Sequence, residues 1–175
     1  MISPVSELLK RMITNRGRNL ADISVTNPIL LVFLRHFGCQ FCRHAMDELS
    51  KKRPQFKISG TELIFVHMAE NKVAEEYFTR FNLEGAEHIS DISCRLYMDF
   101  GLMKGTFGQL FGLQTWIQGF SLQKKYSNDF GKHLGDSFQM PGVFMIFEAE
   151  IKESFIYKVV SDRPDYEKLV SCCIL

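Results

Sequence analysis

Seven consecutive apolar residues, Pro28-Ile-Leu-Leu-Val-Phe-Leu34, restrict this chain more than any other segment. The run is rich in strand formers and too short for a typical helix. It therefore reads as a strand buried on both faces, which needs helices above and below it. Directly after it stands "RHFGCQFCRH", and from Phe41 to about Arg53 the apolar positions turn to helical spacing. Phe41, Ala45 and Leu49 lie four apart, and Pro54 is expected to end that helix. "ELIFVHM", Glu62 to Met68, is a second buried strand. Two such strands around a helix make a β-α-β unit, expected with a right-handed crossover.

The remaining segments fill in around that unit. Ser6 to Thr14 reads as a short helix with Leu8, Leu9, Met12 and Ile13 on one face, and Val73 to Phe81 as another. "DISCRLYMDFGLMKG" reads as a capped short helix closed by Gly101. "TFGQLFGLQTWIQGF" reads as an apolar helix, or a pair interrupted by Gly112, and Lys124 to Gly135 as a polar loop. Its aromatics Phe107, Phe111, Trp116 and Phe120 suit a core or dimer face better than a groove wall. "GVFMIFEAEIKESFIYKVV" gives an antiparallel hairpin turning near Ala149, and Pro164 opens a last helix, Asp165 to Val170. The expected architecture is α/β, a central mixed β-sheet flanked by helices with a helical insertion before a C-terminal β-hairpin. With no repeat or linker, residues 1–175 read as a single domain.

Cys39 and Cys42 stand where the strand hands over to the helix. Cys39 at the helix start meets unpaired N–H groups and the helix dipole, which favour a thiolate. Arg35, His36, Arg43 and His44 can add positive charge. Cys42 lies one turn on, close enough to close a small disulfide ring, so Cys39 is read as the attacking thiol and Cys42 as the resolving one. Two other readings stay open. His36, Cys39, Cys42 and His44 could be written as a zinc set, although Cys42 and His44 point different ways on a helix. The two cysteines could also be simply buried. Five cysteines without a secretory pattern do not resemble a secreted disulfide framework. Cys94 reads as an inert helix residue, His67 as a core histidine, and Cys172 and Cys173 as tail, with a resolving role if the C-terminus folds back. "CCIL" formally matches a prenylation pattern but reads as a plain tail. A formal charge of +1 argues against wholesale nucleic-acid binding. No run approaches the roughly 20 apolar residues that span a bilayer, and the expected compartment is the cytoplasm.

"FGCQFCRHAMDEL", "SDISCRLYMDFGL" and "QMPGVFMIF" together resemble the thioredoxin-like superfamily over nearly the whole chain. The resemblance is nearest to its peroxiredoxin-like branch, the AhpC/TSA-related proteins with the selenoprotein-U-like group. It implies a thioredoxin-like fold, a redox role for Cys39 and Cys42, and a cis Met140–Pro141 bond that places Pro141 against them. True peroxiredoxins carry a proline and a Thr or Ser seven and three residues before the attacking cysteine. Counting back from Cys42 gives Arg35 and Cys39, and from Cys39 gives Val32 and His36. They also carry an arginine where Pro141 stands here. The resulting expectation is a cytoplasmic thiol-disulfide oxidoreductase needing no cofactor or metal. It would act on a protein or small-molecule disulfide and be recharged by an external thiol reductant. It would have no nucleic-acid or membrane partner, with a homodimer as its assembly. A thiol peroxidase using one of the two cysteines, or a non-enzymatic binding module, are the alternatives.

Overall fold

The computed structural model describes residues 5–112 and 135–173. The readings placed on Trp116, Ile117 and Phe120, and nearly all of the loop from Lys124, lie outside the described residues. Five strands form one sheet in the order β3-β2-β1-β4-β5: β1 (Ile29–Phe33), β2 (Glu62–His67), β3 (Glu87–Ser90), β4 (Gly142–Phe147) and β5 (Glu150–Ile156). The first three run parallel, and β4 and β5 are antiparallel. The helices are α1 (Val5–Lys10), α2 (Leu20–Thr26), α3 (Gln40–Ile58), α4 (Asn71–Arg80), α5 (Arg95–Asp99), α6 (Phe107–Phe111) and α7 (Tyr166–Ser171). No described helix is long and apolar enough to cross a membrane.

Strand alternation sends side chains to two cores. Leu30, Val32, Phe65, Val143 and Met145 face one cluster with Met46 and Leu49 of α3, Phe78 of α4 and Leu169 of α7. Ile29, Leu31, Phe33, Ile64, Val66 and Phe144 face the other, with Leu9, Leu20, Ile23 and Tyr97. β1 is buried on both faces, as an inner strand must be. Two elements escaped the sequence reading: α2, capped by the Asn19 side chain, and β3, whose outer edge Asn15 closes with both its backbone N–H and its side chain against His88.

Pro54 does not end α3, which continues to Ile58. Proline removes one N–H and crowds one carbonyl, but these losses fall on a single turn. Continuing the helix buries Phe56 in the core beside Leu49, and that gain outweighs them. Pro54→Ala is therefore expected to raise stability by about 1–2 kcal/mol, the regained helix bond less the added freedom of the unfolded chain. A urea midpoint unchanged or lowered would contradict this.

His67 and His88 form a buried pair between β2 and β3, with Nε2 of one 2.8 Å from Nδ1 of the other. The Ala69 N–H donates to His67 Nδ1, so the His67 proton sits on Nε2 and is donated to His88. Burial, then the neighbouring His88, pushes His67 down to about 3, and burial also lowers His88. Depressed histidines favour the fold when neutral. As pH falls below 6.5, the unfolded chain takes up protons that folded His67 refuses until about pH 3. Stability should fall by about 1.4 kcal/mol per pH unit in that window from His67 alone. Denaturant midpoints at several pH values measure the slope, and H67Q should flatten it.

Candidate active site

The site lies where β1 ends, β4 begins and α3 starts. Gly142 pairs with Phe33, so the segment before β4 faces the loop from Leu34 to Cys39. Tyr97 from α5 closes the end of this corner, its hydroxyl donating to the carbonyls of Leu34 and Val66. The Cys39 N–H donates to the His36 carbonyl at 2.9 Å, and Arg43 Nε donates to the Phe37 carbonyl at 2.8 Å. Arg43 thus clasps the loop from inside α3. Cys39 is the N-cap of α3, and its carbonyl receives the Arg43 N–H.

Arg35 is the organising residue. It is buried, and its guanidinium is held by two carbonyls before β4: Nε donates to Gln139 at 3.1 Å and Nη2 to Ser137. The remaining arm, Nη1, points at Cys39 Sγ at 3.2 Å. The Arg35 backbone N–H donates to Cys42 Sγ at 3.3 Å. One residue therefore touches both thiols. Both cysteines are free thiols.

The electrostatics separate them. The Cys42 S–H, donated to the Cys39 sulfur, followed by the charges of Arg35 and His36, holds the Cys39 thiol well below the usual range despite burial. The same contact from the other side, with burial, pushes Cys42 well above it. A thiolate beside a donor thiol is the ground state of a dithiol nucleophile. Solvent access does not separate them, since Cys39 is 6% and Cys42 4% exposed. The guanidinium of Arg35, not exposure, distinguishes Cys39. Cys42, Arg35, Phe41, Pro141, Tyr157 and Val160 line a shallow cleft. Ser137, Gln139 and Tyr157 carried no signal in the sequence, because chain segments far apart bring them here.

Two other groupings are not assembled. Among the described residues no group of three or more His, Cys, Asp or Glu could hold a metal ion, so the His36-Cys39-Cys42-His44 set is not a zinc site. Cys173 stands near Lys152 and Glu148, at the β4–β5 turn and a strand length away, roughly 17 Å for six residues. A resolving role for Cys172 or Cys173 within one chain does not fit. Phe107 and Phe111 pack against each other with centroids 4.8 Å apart and ring planes tilted by 40°, and both are exposed, not core.

No family model matches the chain. A prostamide/prostaglandin F synthase from Salmo salar is 26% identical over 171 residues, covering 96% of this chain and 84% of that protein. Among solved structures, peroxiredoxin Q of Xanthomonas campestris matches with a TM-score of 0.64 at 13% identity, covering 95% of this chain and 92% of that one. The thiol:disulfide interchange protein DsbE of Chlorobium tepidum matches with a TM-score of 0.60 at 14% identity, covering 94% and 92%. The chain has the thioredoxin-like fold of the peroxiredoxins.

Within that thioredoxin-like frame Pro141 lines the same cleft as Cys42 and Arg35. Its peptide bond is trans, since no described bond is cis, and the cis expectation is corrected. A trans X–Pro bond is the default by about 0.5–1 kcal/mol. The segment is positioned by other means: Gln139 Nε2 donates to the Leu102 carbonyl at 2.9 Å, and the Met140 N–H to Met103 at 3.3 Å. Arg35, just beyond the end of β1, brings its guanidinium to Cys39 Sγ.

Proposed function

We propose that the chain is a thiol-disulfide oxidoreductase in which Cys39 attacks and Cys42 resolves. The observation that carries this is Arg35 Nη1 at 3.2 Å from Cys39 Sγ, with Cys42 bonded to the same residue. The Cys39 thiolate would attack one sulfur of a substrate disulfide, forming a mixed disulfide and expelling the other sulfur as a thiolate. Cys42 would then give up its proton and attack Cys39, releasing the second substrate thiol and leaving a Cys39–Cys42 disulfide. An external thiol reductant returns two electrons to close the cycle. In this reading Arg35 and His36 stabilise the thiolate, Arg43 holds the loop, and Pro141 shapes the cleft. The cytoplasm is the fitting compartment, and residues 1–175 act as one domain. A homodimer would bury the exposed Phe107 and Phe111, which sedimentation would report. The decisive measurement is the Cys39–Cys42 reduction potential, with reductases near about −270 mV and strong oxidants near about −120 mV. If mass mapping of the oxidised protein finds both thiols free, the reading fails.

A peroxidase reading draws on the match to peroxiredoxin Q and on the thiolate–guanidinium contact. There the thiolate takes one oxygen from a peroxide, becoming a sulfenic acid while the other oxygen leaves as an alcohol or water. The second cysteine then condenses with it to a disulfide and water. Rapid consumption of hydrogen peroxide by the reduced protein would favour this reading. The relative's name, prostamide/prostaglandin F synthase, makes lipid-derived substrates worth including beside hydrogen peroxide.

A further inference from the structure

Beyond the Cys39–Cys42 corner, a second pair of thiols is brought together among the described residues. Cys172, exposed, and Cys173, half-buried at the end of α7, have their sulfurs 3.3 Å apart. Cys173 packs on the core and its N–H donates to the Val170 carbonyl at 3.2 Å, so the helix end fixes one thiol of the pair.

We propose that Cys172 and Cys173 form a second dithiol site that chelates trivalent arsenic, or a like thiophilic metalloid, rather than closing to a disulfide. Three magnitudes decide between the two. Adjacent Cα atoms across a trans peptide are about 3.8 Å apart, below the roughly 4.4 Å minimum usual for a disulfide. Closure would also draw the sulfurs from 3.3 Å to about 2.05 Å, straining the turn. A pyramidal centre with bonds of about 2.3 Å, similar to zinc–thiolate bonds, and angles near 90° spans about 3.3 Å. Such a centre seats with the sulfurs where they stand.

The donor count selects the same class. A structural zinc ion needs four ligands, and among the described residues no group of three or more His, Cys, Asp or Glu is assembled. Trivalent arsenic needs three, and an organoarsenical brings one of its own. With phenylarsine oxide, two S–H bonds break and two As–S bonds form. The oxide oxygen leaves as water, and arsenic and sulfur keep their oxidation states. Burial, then the contact with Cys172, pushes the Cys173 thiol up to about 12. It is therefore a poor nucleophile for disulfide exchange, while remaining a competent partner for this condensation.

The test uses the full chain and phenylarsine oxide. The protein is treated with one equivalent and blocked with light iodoacetamide. The arsenical is then released with a dimercaptan, the freed thiols are labelled with heavy iodoacetamide, and peptides are mapped. Heavy label on both Cys172 and Cys173 is expected. In C172S or C173S the remaining thiol should lose its protection, since a single sulfur holds the arsenical at least about a hundredfold more weakly. Light label on both in the native chain, or undiminished protection in the single variants, would overturn the proposal. So would a C-terminal peptide lighter by two hydrogens after exposure to glutathione disulfide. Cys39 and Cys42 are scored separately in the same map, so failure here and failure of the oxidoreductase reading remain distinguishable.

Discussion

Cys39→Ser is expected to remove disulfide-reducing turnover by at least about a thousandfold, because the hydroxyl cannot supply the attacking thiolate at neutral pH. Cys42→Ser should behave differently: attack still occurs, but the mixed disulfide on Cys39 cannot be resolved, and partners accumulate covalently bound. The asymmetry rests on the guanidinium of Arg35 facing Cys39 and only its backbone N–H facing Cys42. Competitive alkylation with site-resolved mass spectrometry checks it directly. Faster labelling of Cys42 between about pH 6 and 8 would reverse the roles and favour peroxidase chemistry.

Arg35→Met should raise the pH midpoint of Cys39 alkylation by about one to two units, the usual effect of an opposite charge at contact distance. It should also cost stability, since the carbonyls of Ser137 and Gln139 lose a buried donor, worth about 1–3 kcal/mol each when left unpaired. Arg35→Lys keeps the charge but not the three-way fork, so it should restore part of the midpoint and little of the stability. An unmoved midpoint in Arg35→Met, with stability lost, would reduce Arg35 to a structural clasp. Thiolate absorbance against pH gives the same answer without an alkylating agent.

What was legible in the sequence was whatever long, uniform patterns encode. β1, α3 and β2 follow from uninterrupted apolar runs and helical spacing, and the hairpin was legible although its turn residues are unusual. Glu148 and Ala149 both take positive φ, where Asn-Gly would be the ordinary signal. β3 was invisible because four residues, Glu-His-Ile-Ser, form a strand only by pairing with β2. α2 was hidden by Ile23, Val25 and Thr26, branched residues that weaken the helical signal until burial of Leu20 and Ile23 decides the matter. At the site, the C-x-x-C spacing indicated the chemistry, but not the direction from which charge arrives. Arg35 acts through carbonyls 102 and 104 residues away, a relation no local pattern carries. Likewise the isomer of Met140–Pro141 belongs to the fold around it, not to the dipeptide.

The near-complete burial of both sulfurs also sets the form of the rate law. A reagent larger than water reaches Cys39 only when the corner opens, so two clocks run in series, one for opening and one for chemistry. At low reagent the rate should scale with concentration. At high reagent it should level off at a ceiling fixed by opening alone, the same for a fast electrophile as for a slow one. A substrate that wedges the corner apart as it docks would escape that ceiling, and selectivity would then be exercised before any sulfur is touched.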